Sequence, residues 1–281
     1  MKTTIAAALA CVTLVPSLFA QDTGPKTHAR LGLGTTTMYF FRGLMQQDGG
    51  IIVQPYLEIS RGGVEVFNTP FAWHVGTWNS LHEGQTGTGG GNAAWYESQF
   101  YAGFTVNVFD NIALRTRYTT YHSPNAGFRV GAARPTQEIS FRADWADIEL
   151  NNDRFKALFL SAELAFELTG GRDAGPDEGV YLELGAAPVV AVTDDLLVTV
   201  PVRLGLSLKD YYEDSTGGGD LFGFFAIGAR TSLDLCDENS LFGPWSLETS
   251  LDIYILGDTA KRVNNGDSAE VVLGVNLNLS F

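Results

Sequence analysis

The chain has 281 residues and a formal charge of −14, which excludes the basic footprint that nucleic-acid binding requires. Charged residues make up only 18%, aromatics reach 12% and glycine occurs 32 times. With a mean hydropathy of +0.03, that mixture suits alternating strands joined by turns better than a helical globule.

Residues 1–20 read as a secretory signal peptide. Lys2 is the positive start, Ile5 to Val15 the short apolar run, and Leu18-Phe19-Ala20 the cleavage site before Gln21. A lipoprotein reading, with Cys11 modified, has Ala8 rather than Leu three positions upstream and is the weaker one. Cleavage removes Lys2 and Cys11, so the mature charge is −15 and Cys236 is left with no partner for an intramolecular disulfide. No other apolar run approaches the roughly twenty residues of a spanning helix. Residues 21–281 then form one domain, with no linker, no repeat beyond hairpins and no helical stretch of note.

The periodicity predicts about twelve strands: Arg30 to Arg42, Ile51 to Ser60, Val64 to Asn79 with a bulge at Asn68-Thr69-Pro70, Trp95 to Phe109, Ile112 to His122 and a short sixth over Thr136 to Trp145. The remainder are Ala157 to Thr169, Val180 to Val192, Leu196 to Tyr211, Phe222 to Leu235, Trp245 to Gly257 and Ala269 to Phe281. One set of connections is short, including Arg61-Gly62-Gly63, Asp110-Asn111 and Thr193-Asp194-Asp195. The alternate set is longer and rich in Gly, Asp and Asn. Leu158, Leu160, Ala162, Leu164, Phe166 and Leu168 share one face of the seventh strand, with Ser161, Glu163 and Glu167 on the other. Strands of ten or more residues match a tilted membrane crossing, whereas soluble strands average about five or six. In a bilayer every backbone group must be paired, so the sheet must close. The expected fold is all-β: a closed antiparallel transmembrane β-barrel of about twelve strands, with short periplasmic turns, longer extracellular loops and its polar face inward.

The last strand, Val271 to Phe281, alternates strictly and ends on Phe281. It resembles the signal through which the barrel assembly machinery of bacterial outer membranes recognises its clients. Near the amino end stand Tyr39-Phe40-Phe41-Arg42-Gly43-Leu44, then Gln47, Asp48-Gly49 and Val53-Gln54, and later Val75-Gly76-Thr77-Trp78-Asn79-Ser80. This resembles the TorF-type porin family of Gram-negative bacteria, whose members carry Y-x-[FW]-R-G, a short turn, a V-Q strand and a G-x-W-x-S strand end. The resemblance covers the first sixty or so mature residues and implies an outer-membrane barrel with a role in transport; the barrel is expected to be a monomer. The Asn68-Thr69-Pro70 break and the long Glu83 to Asn92 loop depart from that pattern.

Alternation turns both signs of charge inward. The lumen and selectivity candidates are Arg42, Glu58, Arg115, Arg117, Arg142, Glu163, Glu183, Arg203 and Arg230, and the same phase includes Glu97, Glu138, Asp144, Glu167, Lys209, Asp234, Glu248, Asp252 and Glu270. Charged rings of this kind tune the passage of small polar solutes; alternatively, the charges pair and fill the barrel. Arg42 is expected to pair with a carboxylate that fixes the first hairpin, with Glu58 on the adjacent strand as a candidate.

An outer-membrane hydrolase and a surface adhesin are the rival classes. The chain offers His28, His74, His82 and His122 but neither Gly-x-Ser-x-Gly nor His-Glu-x-x-His. His122-Ser123 are adjacent on a strand and so face opposite ways. No cofactor or metal is implied: Gly84 to Gly91 lacks a phosphate-loop lysine, and the acidic stretches Asp173 to Glu178 and Glu213 to Asp220 read as solvated loops. Trp73, Trp78, Trp95, Trp145 and Trp245 near strand ends suit interfacial girdles against lipid and lipopolysaccharide.

Overall fold

Alternation at period two gives each long strand an apolar and a polar face, and the polar set is the one enclosed. The structure, a computed structural model, describes residues 26–66, 69–83, 94–109, 111–124, 135–149, 154–169, 177–193, 196–213, 218–236 and 243–281. The signal peptide, the glycine-rich 84–91 loop and the acidic residues 173–176 and 214–217 lie outside these.

In chain order the elements are β1 (Thr27–Thr36), β2 (Tyr39–Phe41), β3 (Leu44–Gln47), β4 (Ile52–Val66), β5 (Thr69–His82), β6 (Trp95–Phe109), β7 (Ile112–His122) and β8 (Thr136–Glu149). Then follow β9 (Phe155–Thr169), β10 (Val180–Ala191), β11 (Leu197–Thr199), β12 (Val202–Lys209), β13 (Phe222–Asp234), β14 (Trp245–Leu256), α1 (Asp258–Val263) and β15 (Ala269–Ser280). Each wall strand pairs antiparallel with its neighbours, and β1 pairs with both β4 and β15. β11 and β12 both run between β10 and β13, so they are one wall strand interrupted at Val200-Pro201. Pro201 has no N–H to donate; the amide of Val200 donates to the Pro188 carbonyl at 2.9 Å and that of Gly228 to the Pro201 carbonyl at 2.8 Å across the break. The wall is therefore a closed antiparallel barrel of twelve strands, with β2 and β3 as a separate two-stranded sheet.

The outer face is apolar. Leu33, Phe100, Phe104, Leu114, Phe141, Ile253, Leu273 and Val275 are exposed there, while Glu58, Glu97, Arg115, Glu138, Arg142 and Glu248 are buried inside. Apolar side chains exposed this widely around a closed sheet mark a surface that meets lipid or protein rather than water. β1 begins and β15 ends at one end of the barrel, where β4, β6, β8, β10 and β13 also end; this is hereafter the terminal end. β1, β5, β7, β9, β12 and β14 end at the other, hereafter the loop end, together with the connections 37–51 and 257–268.

Several boundaries differ from the sequence expectation. The first wall strand ends at Thr36, not Arg42, because residues 37–51 leave the wall. Arg61-Gly62-Gly63 is not a turn: β4 runs through it with a register shift between Arg61 and Val64, and Gly63 adopts φ +73°. An extra residue with a left-handed glycine is a bulge that bends the strand without ending it. β4 ends at Val66 and β5 begins at Thr69, so Val64 to Val66 close the second strand rather than open the third. β8 continues to Glu149, past the expected end at Trp145, after a second register shift between Trp145 and Ile148. The six-residue α1 stands where an irregular loop is predicted.

The buried apolar cluster lies inside the barrel, not between layers. Leu44 of β3 joins Tyr181, Tyr211, Tyr212, Phe224, Tyr254, Leu256 and Ala260 of α1, with Phe40 packed against them. These residues come from the loop-end halves of the strands and from three inward-folded connections.

Candidate functional site: a latched hairpin in the lumen

β2 and β3 form a hairpin with Phe41 paired to Leu44 and only Arg42-Gly43 between. Both turn residues take positive φ, +50° at Arg42 and +78° at Gly43, as a two-residue turn of the primed type demands. Gly43 meets this freely. A Cβ there would also fall 2.6 Å from Phe224 Cδ1. Arg42 occupies the left-handed region at a cost of about 1–2 kcal/mol, so its side chain must gain more than the backbone loses.

That gain is visible. Arg42 Nη1 lies 2.5 Å from Glu138 Oε2, and Nη2 lies 2.9 Å from Glu138 Oε1 and 3.2 Å from Glu163 Oε1. Nη1 also donates to the Tyr211 hydroxyl at 3.3 Å. The guanidinium carbon stands 4.3 Å from the ring centre of Tyr181, 5.0 Å from Phe41 and 5.5 Å from Tyr211. A bidentate carboxylate pair plus aromatic faces is the arrangement a planar guanidinium fits best. The Tyr121 hydroxyl donates to Glu138 Oε1 at 3.3 Å, and Arg142 Nη1 reaches Glu163 Oε2 at 3.4 Å while its Nε donates to Asp144 Oδ1 at 2.8 Å. The two carboxylates are thus positioned from behind.

The remaining connections clasp the hairpin backbone. The Tyr212 hydroxyl donates to the Arg42 carbonyl at 2.8 Å. Asn264, fully buried just after α1, donates to the Gly43 carbonyl at 2.8 Å and accepts from the Met45 amide at 2.7 Å. α1 is tied to the 210–221 connection, since Asp220 Oδ2 accepts from both the amide and the hydroxyl of Thr259. At the hairpin base, Tyr39 packs on Trp78 with ring centres 5.2 Å apart, and its hydroxyl donates to Glu97 Oε1 at 3.2 Å.

All nine sequence candidates belong to the enclosed face or its hairpin. Arg42, Arg142 and Glu163 are brought together. Arg203 donates to the Tyr254 hydroxyl at 2.8 Å and to Asp252 Oδ1 at 3.3 Å, and Arg230 Nη2 lies 2.5 Å from Asp252 Oδ2. Glu183 accepts from the Tyr181 hydroxyl at 2.7 Å. Arg115 faces Arg142 across the β7–β8 pair, and Arg117 holds its guanidinium 5.1 Å from the Tyr101 ring. Glu58 is hydrogen-bonded to Tyr101 and lies apart from Arg42. The expected Arg42–Glu58 pairing is thus replaced by Arg42–Glu138 and Arg42–Glu163, because the hairpin carries Arg42 across the lumen to β8 and β9. A small recess is lined in part by Asp144, Ser161, Glu183 and Arg203.

Sequence reasoning left Glu138 among the general lumen charges and missed Tyr181, Tyr211, Tyr212 and Asn264. The adjacent Tyr211-Tyr212 at a strand end was the signal available. Trp78 points into the lumen rather than into an outer girdle. The histidine–serine contact the structure holds is Ser80 Oγ to His82 Nε2, 2.8 Å, not His122-Ser123. Both partners are buried, and the His82 ring stacks on Tyr96 at 4.5 Å.

No protein-family model matches the chain, and no curated protein is similar to it. Solved structures are. An outer-membrane channel from Pseudomonas putida F1 is 11% identical with a TM-score of 0.45, covering 100% of both chains. The NanC porin is 11% identical with a TM-score of 0.41, covering 91% of this chain and 99% of that one. OprB of Pseudomonas putida is 7% identical with a TM-score of 0.42, covering 92% and 95%.

Proposed function

We propose that the protein is an outer-membrane channel of a Gram-negative bacterium that passes small polar solutes through a narrow, charge-lined lumen. The observation that carries the reading is the contrast between wall and contents. An apolar outer belt encloses charged side chains, and a hairpin folds into the lumen at the loop end, its tip residue Arg42 gripped by two carboxylates and its backbone clasped by Tyr212 and Asn264. A barrel meant only as a scaffold gains nothing from a strained Arg42 in its lumen.

In this reading the terminal end is periplasmic, and 37–51 is an extracellular loop folded inward as a constriction. The signal peptide is removed after Ala20, the assembly machinery engages Phe281, and the monomer sits among lipid and lipopolysaccharide. Below the hairpin, Arg115, Arg117, Arg142, Glu163, Glu183, Arg203 and Arg230 set the field a solute crosses. Catalysis has no part in it.

Planar-bilayer recording tests the reading with the wild-type barrel and a variant lacking residues 38–47. The expected outcome is small or brief openings from the wild type and large, persistent ones from the deletion. If neither folded barrel gives openings, the channel reading is wrong.

A further inference from the structure

The latch around Arg42 has the make-up of a ligand site whose ligand belongs to the protein. Glu138 and Glu163 supply carboxylates whose side chains are 2% and 12% exposed. Tyr181, Tyr211 and Phe41 supply ring faces on the guanidinium. Remove the Arg42 side chain and Glu163 keeps Arg142, whereas Glu138 keeps only neutral Tyr121 among its described partners. A buried carboxylate left without its cation is strongly unfavourable, so the emptied cage must take up either a proton or a replacement cation. Its planar geometry and its aromatic walls select a guanidinium over a compact, strongly hydrated ammonium.

The occupant is also poorly seated in its own backbone. Arg42 sits at φ +50° in the turn, and strain of this kind accompanies sites that exchange between states. The hairpin is a small separate sheet with no strand ladder to the wall. A solute that took over the Arg42 contacts would leave the hairpin held chiefly by Asn264 and Tyr212.

We propose that the Glu138–Glu163–Tyr181–Tyr211 cage is a binding site for guanidinium-bearing small solutes, which the barrel keeps filled with its own Arg42 until such a solute displaces it. The inference deepens the channel reading, on which its gating half rests, by naming the solute class that opens the pore.

Binding is tested apart from conduction. The folded Arg42→Ala barrel in detergent is titrated calorimetrically with ethylguanidinium and with ethylammonium. Ethylguanidinium is expected to bind at least ~10-fold more tightly, and adding Glu138→Gln should abolish the preference. Equal binding of the two cations, or binding indifferent to Glu138→Gln, overturns the proposal. The wild-type barrel in a bilayer supplies the second measurement, which stands even if Arg42→Ala does not fold. Argininamide must raise the frequency of openings relative to sodium chloride at the same ionic strength, and an unchanged frequency overturns the gating. A barrel that selects ethylguanidinium yet conducts under no condition overturns the channel reading and leaves the cage in place.

Discussion

Asn264 and Gly43 are 221 residues apart in sequence, and the Asn264 side-chain amide donates to the Gly43 carbonyl at 2.8 Å. The same side chain accepts from the Met45 amide at 2.7 Å. One residue beyond a six-residue helix therefore satisfies two backbone groups of a hairpin that no wall strand pairs. Replacing Asn264 with Ala strands a buried carbonyl and a part-buried amide, which costs up to about 1–3 kcal/mol for each group left unsatisfied. Urea unfolding in lipid vesicles should register that loss, and bilayer recordings should show longer openings. If openings stay the same while stability falls, α1 is a structural prop and not part of the closure.

Gly43 makes a sharper test of the hairpin's place. Its φ of +78° and the 2.6 Å approach of an added Cβ to Phe224 both forbid a side chain. Gly43→Ala should expel the tip from its seat and raise conductance, with the wall strands intact by circular dichroism. Gly49, in the same connection, has open space around it, and Gly49→Ala should leave the recordings as they are. Identical behaviour of the two variants would show that the tip is not what narrows the pore.

The wall of this molecule was legible in the sequence, and the contents of its lumen were not. β6 and β7 begin and end where alternation placed them, because each is bounded by turn residues and has exposed Phe or Leu opposite buried Glu, Thr or Arg. Alternation fails where the backbone absorbs an extra residue. The Gly63 bulge changes the phase of β4 without ending it, so a glycine pair that reads as a turn is a bend. Arg42 could be assigned to the lumen by phase, but only its left-handed turn carries it to β8 and β9. Glu138 and Glu163 lie 96 and 121 residues away along the chain, a distance over which one-dimensional periodicity carries no information. Tyr211, Tyr212 and Asn264 sit in connections, where no period exists to read.

Arg117 separates selectivity from structure. Arg42, Arg142, Arg203 and Arg230 all lie in ion pairs, whereas Arg117 stands over the Tyr101 ring and acts on Glu58 and Glu163 electrostatically without an ion-pair contact to either. A charge without a contacting partner is cancelled less fully and acts more strongly on passing ions. Arg117→Glu should move the reversal potential in asymmetric potassium chloride towards cation preference, with little change in stability. A reversal potential that does not move would place the permeation path away from β7.

The outer belt gives the last prediction. Val275 lies at the middle of β15, with its side chain 41% exposed on the apolar face and its backbone paired to Thr35 and Thr249 on either side. If lipid is what touches that face, Val275→Arg places a charge near the bilayer midplane and costs about 2–4 kcal/mol. Leu235, just past the end of β13 near the terminal end, is also exposed. There the same substitution should cost about 1 kcal/mol or less, because arginine near an interface reaches headgroups. Folding titrations into vesicles measure both. Equal penalties at the two depths would mean that the belt contacts protein or water rather than hydrocarbon.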